Sequence, residues 1–240
     1  IYVGTNNINL LQPNGQFGSR LVGGSDASSP RYIYTLVSEL TRLIFREEDS
    51  NILNYLEEDG LSIEPEFYIP IIPMILVNGG VGIGTGFSTN IPQFDPEDII
   101  SICMKVCDGI ANKDAGESQA FINKMKIDEF APWYLGFTGK IAKSDKGSYV
   151  STGVYNWLDD NTLEITELPV GTWTEDYKQH LENMLTTNAN YLKSFDNQYT
   201  AKNVKFICNF NGDVRGKLGD KFETEFKLVS SRNMSINNMH

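Results

Sequence analysis

The apolar positions of this chain change period along its length. Ile33, Leu36, Val37, Leu40 and Leu43 recur at three- and four-residue spacing, which predicts an amphipathic helix over 29–46. Ser28 or Ser29 suits its N-cap and Pro30 its first position. Ser50, Ile52, Leu53 and Leu56 predict a second short helix over 50–59. Asp95-Pro96-Glu97 opens another, running to about Asp108, with Ile99, Ile100, Cys103, Val106 and Cys107 as its apolar set. From about 137 the period falls to two, and 139–142, 149–155, 162–168 and 204–210 read as strands. Turns at Asp159-Asp160-Asn161 and Asn211-Gly212-Asp213 separate elements there. Thr174 caps a helix to Leu185, with Tyr177, Leu181 and Met184 on one side. Residues 222–228 fit either a helix or a strand. The stretch 5–31, rich in Gly, Asn, Ser and Gln, predicts turns; 65–77 reads as extended and 78–90 as a glycine-dense loop. The pattern is α+β, with a helical, looped first third and a sheet-bearing remainder.

Composition narrows the class. At 240 residues the chain fits one large or two small domains. Hydrophobic residues make up 40% and charged residues 21%, ordinary for a water-soluble fold. No apolar run reaches the length of a membrane span, so no membrane partner is expected. Three cysteines without metal-ligand spacing and two histidines make a Cys/His zinc site improbable. The net charge of −11 argues on its face against nucleic acid. Its distribution softens that. Residues 1–46 carry four arginines (Arg20, Arg31, Arg42, Arg46) against two acids, whereas 47–70 carry eight acids and no base. A locally basic face on an acidic chain is compatible with binding DNA.

The expected first turn of the 29–46 helix holds Arg31 and Tyr32. Free N–H groups and the positive end of a helix dipole attract phosphate there, and an arginine adds a bidentate clamp. A tyrosine hydroxyl beside a bound phosphate is a potential nucleophile for a covalent ester. A first-turn tyrosine is more often a packing residue, so these two residues alone carry little weight. In the glycine-dense loop, Ile83 stands between Gly82 and Gly84. An apolar tip flanked by glycines is suited to wedging between base pairs and kinking a duplex; burial in a core is the plainer alternative. The loop lacks the Gly-Lys-Ser/Thr ending of a phosphate-binding loop, which makes a nucleotide site a weak reading.

Taken together, five segments resemble, in order and spacing, the breakage–reunion core of the type IIA DNA topoisomerases. They are 6–20, Ser29-Pro30-Arg31-Tyr32-Ile33, 66–73, Gly82-Ile83-Gly84-Thr85-Gly86 and 167–174. The eukaryotic form, shared by some large DNA viruses, fits better than the bacterial gyrase form. The resemblance covers nearly the whole chain and is weakest over 109–136 and 186–240. It implies that residues 1–70 are the later part of a winged-helix domain and 71–240 a sheet-containing tower domain. It implies that Tyr32 forms a 5′-phosphotyrosyl link, that Arg31 holds the scissile phosphate, and that Ile83 intercalates. Gly82, Gly84, Thr85, Arg20 and Gln16 join them as expected DNA contacts. The partners implied are double-stranded DNA and a second copy of the chain, and the place is the nucleus, or a cytoplasmic viral site. Mg²⁺ and ATP are implied as cofactors held by parts of a longer protein outside this chain. The expected function is a DNA gate opened by transient double-strand breakage, with this segment inactive alone. A non-catalytic DNA-binding or bending scaffold of the same fold is the alternative.

Overall fold

The computed structural model describes residues 2–84, 87–125, 131–144, 148–187 and 191–230. Residues 29–46, expected as one helix, instead fold as two short elements joined by extended chain. A 3-10 turn spans Pro30–Tyr32, and helix α1 only Glu39–Ile44. Between them the backbone pairs with an earlier segment. Gln12 N donates to Leu36 O at 2.8 Å and Ser38 N to Leu10 O at 2.9 Å, with a bridge between Leu11 and Val37. The β-branched residues Ile33, Thr35 and Val37 alternate, and that period of two prevails over the helical spacing. The expected helix over 50–59 is likewise replaced. A 3-10 turn covers Glu47–Ile52, then β1 (Tyr55–Glu58) pairs with β2 (Leu61–Pro65). Asp59 and Gly60 turn the hairpin at φ 51° and 77°, the Asp-Gly conformation favoured in tight hairpins.

The segment read as extended over 65–77 ends in a short helix, α2 (Met74–Asn78). The glycine-dense stretch is a hairpin rather than a loop: β3 (Gly80–Gly84) pairs with β4 (Phe87–Ile91). Gly79 makes the corner at φ 66°, where a Cβ would lie 2.6 Å from Ile91 O, so only glycine fits. Helix α3 (Pro96–Ile110) begins where the sequence predicts, with the Asp95 side chain accepting from Glu97 N. Helix α4 (Ala115–Lys124) follows. Ile99 of α3 joins Ile72, Val77 and Phe94 in a small core, with Ile8 and Cys103 packed against it.

The larger core belongs to the remainder of the chain. β5 (Lys140–Lys143) pairs with β6 (Tyr149–Thr152). β7 (Val154–Trp157), β8 (Thr162–Glu167), β9 (Leu192–Asn197) and β10 (Phe206–Phe210) form one antiparallel sheet in the order β7-β8-β10-β9. Alternation is visible in burial: Leu163 and Ile165 of β8, and Phe206, Cys208 and Phe210 of β10, all face inward. Helix α5 (Thr174–Thr187) lays Tyr177, Leu181 and Met184 across that face. Helices α6 (Val214–Leu218) and α7 (Phe222–Glu225) close the core with Val214, Phe222 and Phe226. The strands expected at 139–142, 162–168 and 204–210 and the helix at 174–185 are therefore present. That expected at 149–155 breaks at Gly153 into two strands, where a Cβ would lie 2.3 Å from Glu167 O.

Candidate nucleic-acid interface

Arg31 and Tyr32 lie at the tip of a loop whose two limbs are tied to one earlier segment. Tyr32 N donates to Ser29 O at 2.9 Å and Ile33 N to Pro30 O at 3.1 Å, closing the 3-10 turn. On the later side, Thr35 Oγ1 donates to Gln12 O at 2.7 Å, beside the backbone bonds to residues 10–12. On the earlier side, Ser28 N donates to Gln16 O at 3.0 Å. Asp26 closes this limb. Its Oδ1 accepts from Ser19 N at 2.8 Å. Its Oδ2 accepts from Ser19 Oγ at 2.7 Å and Gln16 Nε2 at 3.2 Å. The Ser19 hydroxyl bond, with its backbone N–H, holds the Asp26 carboxyl below the usual carboxylate range.

At the tip, Tyr32 is 67% exposed, and the Arg31 guanidinium carbon lies 4.9 Å from its ring centroid. Cation and phenol are thus side by side and open to a large anionic ligand. The expected helix N-terminus does not contribute. The turn is three residues long, and Ser29 makes no side-chain cap. No macrodipole of useful size arises there, so positive potential at the phenol comes from Arg31.

The other expected contacts divide. Ile83, Gly82 and Gly84 lie on β3, opposite Ser88, Thr89 and Phe87 of β4; Gly82 is exposed with open space around its Cα. Thr85 lies outside the described residues. Arg20 is not at the surface: it is 6% exposed, and its Nη2 donates to Glu167 Oε1 and to Leu168 O. A buried carboxylate holds it in an internal ion pair, away from the surface where a DNA contact is expected. Gln16 is exposed, and its amide donates to the Asp26 carboxylate and to Asp26 O at 3.1 Å. Arg46 pairs with Glu48 at 2.8 Å, and that bond pulls Glu48 down to about 2. Of the four arginines in 1–46, Arg31, Arg42 and Arg46 are exposed, and Arg46 is the one of these three held by a neighbouring carboxylate, Glu48.

Sequence reasoning did not single out the amides that brace the β3–β4 hairpin. Asn7 Nδ2 donates to Val77 O, Phe94 O and Trp133 O at 3.0–3.1 Å, and its Oδ1 accepts from Leu135 N at 2.9 Å. Asn78 exchanges bonds with both backbone groups of Ile8. Gln93 Nε2 donates to Thr5 O and Asn78 O. Residues 5–8 are thereby fastened across the expected boundary near 70. The same segment runs on to residues 10–19, which hold the Tyr32 loop. A run of asparagines in a polar stretch was the available signal, but its partners lie some 70 to 128 residues away.

Among the described residues no group of three or more His, Cys, Asp or Glu is placed to hold a metal ion. No helix of the described residues is long and apolar enough to cross a membrane.

The described residues thus carry an exposed Arg-Tyr pair on a braced loop, a glycine-dense hairpin and a separate sheet core. The family model for the DNA gyrase/topoisomerase IV A-subunit matches residues 2–240. The chain is 43% identical over 239 residues to the mitochondrial DNA topoisomerase 2 of Dictyostelium discoideum, covering 98% of this chain and 17% of that protein. It is 49% identical over 191 residues to DNA topoisomerase 2 of Plasmodium falciparum, covering 80% of this chain and 13% of that one. The crystal structure of the Plasmodium falciparum topoisomerase II DNA-binding, cleavage and re-ligation domain superposes with a TM-score of 0.81 at 42% identity. It covers 97% of this chain and 30% of that one. The chain belongs to the type IIA topoisomerase family, on its eukaryotic topoisomerase II side. It spans well under a fifth of the length of these two relatives.

Proposed function

We propose that this chain is the DNA-gate segment of an ATP-dependent type II DNA topoisomerase, with Tyr32 as nucleophile. The observation that carries the reading is the exposed Tyr32 phenol with the Arg31 guanidinium beside it, in a chain of this family. The Tyr32 oxygen attacks a backbone phosphorus as the bond to the 3′ oxygen breaks. A 5′-phosphotyrosyl ester forms, and the 3′ oxygen leaves as a hydroxyl after taking up a proton. Resealing is the reverse displacement. Arg31 offsets charge that builds on the phosphate oxygens. A divalent metal, were it bound by other parts of the protein, would add further neutralisation of that charge. Ile83, on the hairpin strand β3, is the wedge that bends the gate duplex. Two copies cut both strands, and a second duplex passes before religation. In this reading residues 1–70 are the later part of the winged-helix domain and 71–240 the tower domain, and the protein works where its chromosomal or viral DNA lies.

The test is DNA cleavage by the full-length protein with Mg²⁺, stopped by detergent and digested with protease. Wild type gives protein-linked double-strand breaks and Tyr32→Phe gives none while still binding DNA. Linked DNA from the Phe variant would sink the assignment. Bending without linkage by either protein would favour a scaffold.

A further inference from the structure

We infer that Asp26, together with Gln16 and Ser19, is a positioning clasp for the Tyr32 nucleophile; the inference rests on the topoisomerase reading above. The geometry is two-sided. The loop 29–35 leaves and re-enters one supporting segment, residues 10–19. Its later limb is fixed by backbone pairing to residues 10–12 and by Thr35. Its earlier limb has two ties to that segment near the tip: the Ser28 N bond to Gln16 O and the carboxylate of Asp26. That carboxylate is three residues from Ser29, whose carbonyl receives the Tyr32 N–H. Gln16 grips Asp26 twice, donating from its side chain to both the carboxylate and the carbonyl.

Between the limbs the chain turns on itself so tightly that a Cβ on Gly18 would sit 2.6 Å from Gly24 Cα. Ile33 leans on Gly15 from the other side, with Cγ2 2.9 Å from where a Cβ would be. The loop is short of apolar contacts: Ser29, Pro30, Arg31 and Tyr32 are all open to solvent. Beyond the Ile33–Gly15 contact, hydrogen bonds define its position. A carboxylate is the acceptor that can take three donors at once. Electrostatics gives a further argument. Asp26 is exposed, and a negative charge this close in sequence to a phosphate-binding pair opposes binding. Its presence there is accounted for by the alignment it provides.

The test uses the full-length protein and the variants Asp26→Ala, Asp26→Asn and the milder Ser19→Ala. The covalent-complex formation rate at saturating duplex is measured beside duplex affinity. The clasp predicts a rate loss of roughly 10- to 100-fold for Asp26→Ala, with affinity kept or slightly improved. Asp26→Asn, which keeps one acceptor oxygen, and Ser19→Ala fall between that variant and wild type. An Asp26→Ala protein that cleaves at the wild-type rate overturns the clasp. So does one whose only change is tighter DNA binding. A second readout does not depend on activity: 3-fluorotyrosine at position 32, observed by fluorine NMR. One narrow resonance in the parent that broadens or splits in Asp26→Ala supports the clasp, and an unchanged resonance refutes it. Absence of covalent complex from wild type would instead refute the topoisomerase reading and leave the NMR result to decide the clasp.

Discussion

Arg20 offers a prediction in which a surface DNA contact and a buried ion pair lead to opposite outcomes. In Arg20→Met the guanidinium disappears from a site that is 6% exposed. Glu167, 3% exposed, then loses its charged donor. It keeps Leu168 N at 2.9 Å and the Thr138 N–H and hydroxyl at 3.3 Å. Leu168 O loses the Arg20 donor as well. Breaking a buried ion pair from one side costs roughly 3–5 kcal/mol. Two features hold this case near the lower end. Glu167 retains three donors, and Arg20 Nε is itself buried without a partner, so its desolvation is relieved on removal. About 3 kcal/mol is expected, and at about 2–4 °C per kcal/mol for a chain of this size the melting temperature falls by roughly 6–12 °C. Adding Glu167→Gln to the same protein removes the stranded charge and recovers much of the loss. Thermal unfolding followed by circular dichroism measures all four corners of the cycle. An unchanged melting temperature in Arg20→Met, with weaker duplex binding and a salt slope reduced by about one phosphate contact, would refute the buried pair.

Two further outcomes follow from buried polar groups. Asn7→Ala removes three donated bonds and one accepted bond at the base of the hairpin. At about 1 kcal/mol each it should cost roughly 3–4 kcal/mol, and hydrogen exchange should accelerate in β3 and β4 more than in β8. Equal acceleration everywhere would mean the network does not act locally. Burial pushes the Cys208 thiol up to about 12 and, with a hydrogen bond to Glu223, the Tyr155 phenol also to about 12; Tyr177 is raised well above its ordinary value. These groups hold their protons more tightly folded than unfolded. Their stabilisation is complete below the unfolded values, near 9.0 and 10.0, and is lost as pH rises toward 12. Stability should therefore fall steeply above about pH 9, and Cys208→Ala should flatten the thiol's part of that slope. A flat stability profile from pH 9 to 11 would contradict the burial of these groups.

What was legible in the sequence depended on how local the determining interactions are. Helix α3 was readable because Asp95 caps its own first turn, and β8 and β10 because their inward residues alternate over one uninterrupted face. The Arg31–Tyr32 pair and the glycines around Ile83 stand out in the sequence by residue type and spacing. Their local structure does not. Ile33, Leu36, Val37, Leu40 and Leu43 satisfy a helical stripe, yet Leu36, Leu40 and Leu43 are 68%, 51% and 61% exposed. A stripe with no core beneath it gives a helix little support, and pairing with residues 10–12 wins. The Gly-rich 78–90 stretch hid a hairpin because its register depends on the corner at Gly79 and on amides that reach it from residues 5–8. Arg20 and Gln16 looked like DNA contacts by position in a motif. Their partners, Glu167 and Asp26, become evident only once the chain is folded. Nothing in the sequence around Asp26 marks its carboxylate as a brace for a tyrosine six residues on.

The central claim is that Tyr32 carries the DNA. Tyr34, 92% exposed and two residues away, is the neighbouring tyrosine against which the assignment must be tested. The covalent complex of the full-length protein with a short duplex should be digested with nuclease and protease, and the modified residue located by fragment-ion mass spectrometry of the peptide spanning 32–42. The account predicts a nucleotide linked through its 5′ phosphate to Tyr32, with Tyr34 unmodified. A nucleotide on Tyr34, or on no tyrosine of that peptide, would contradict it.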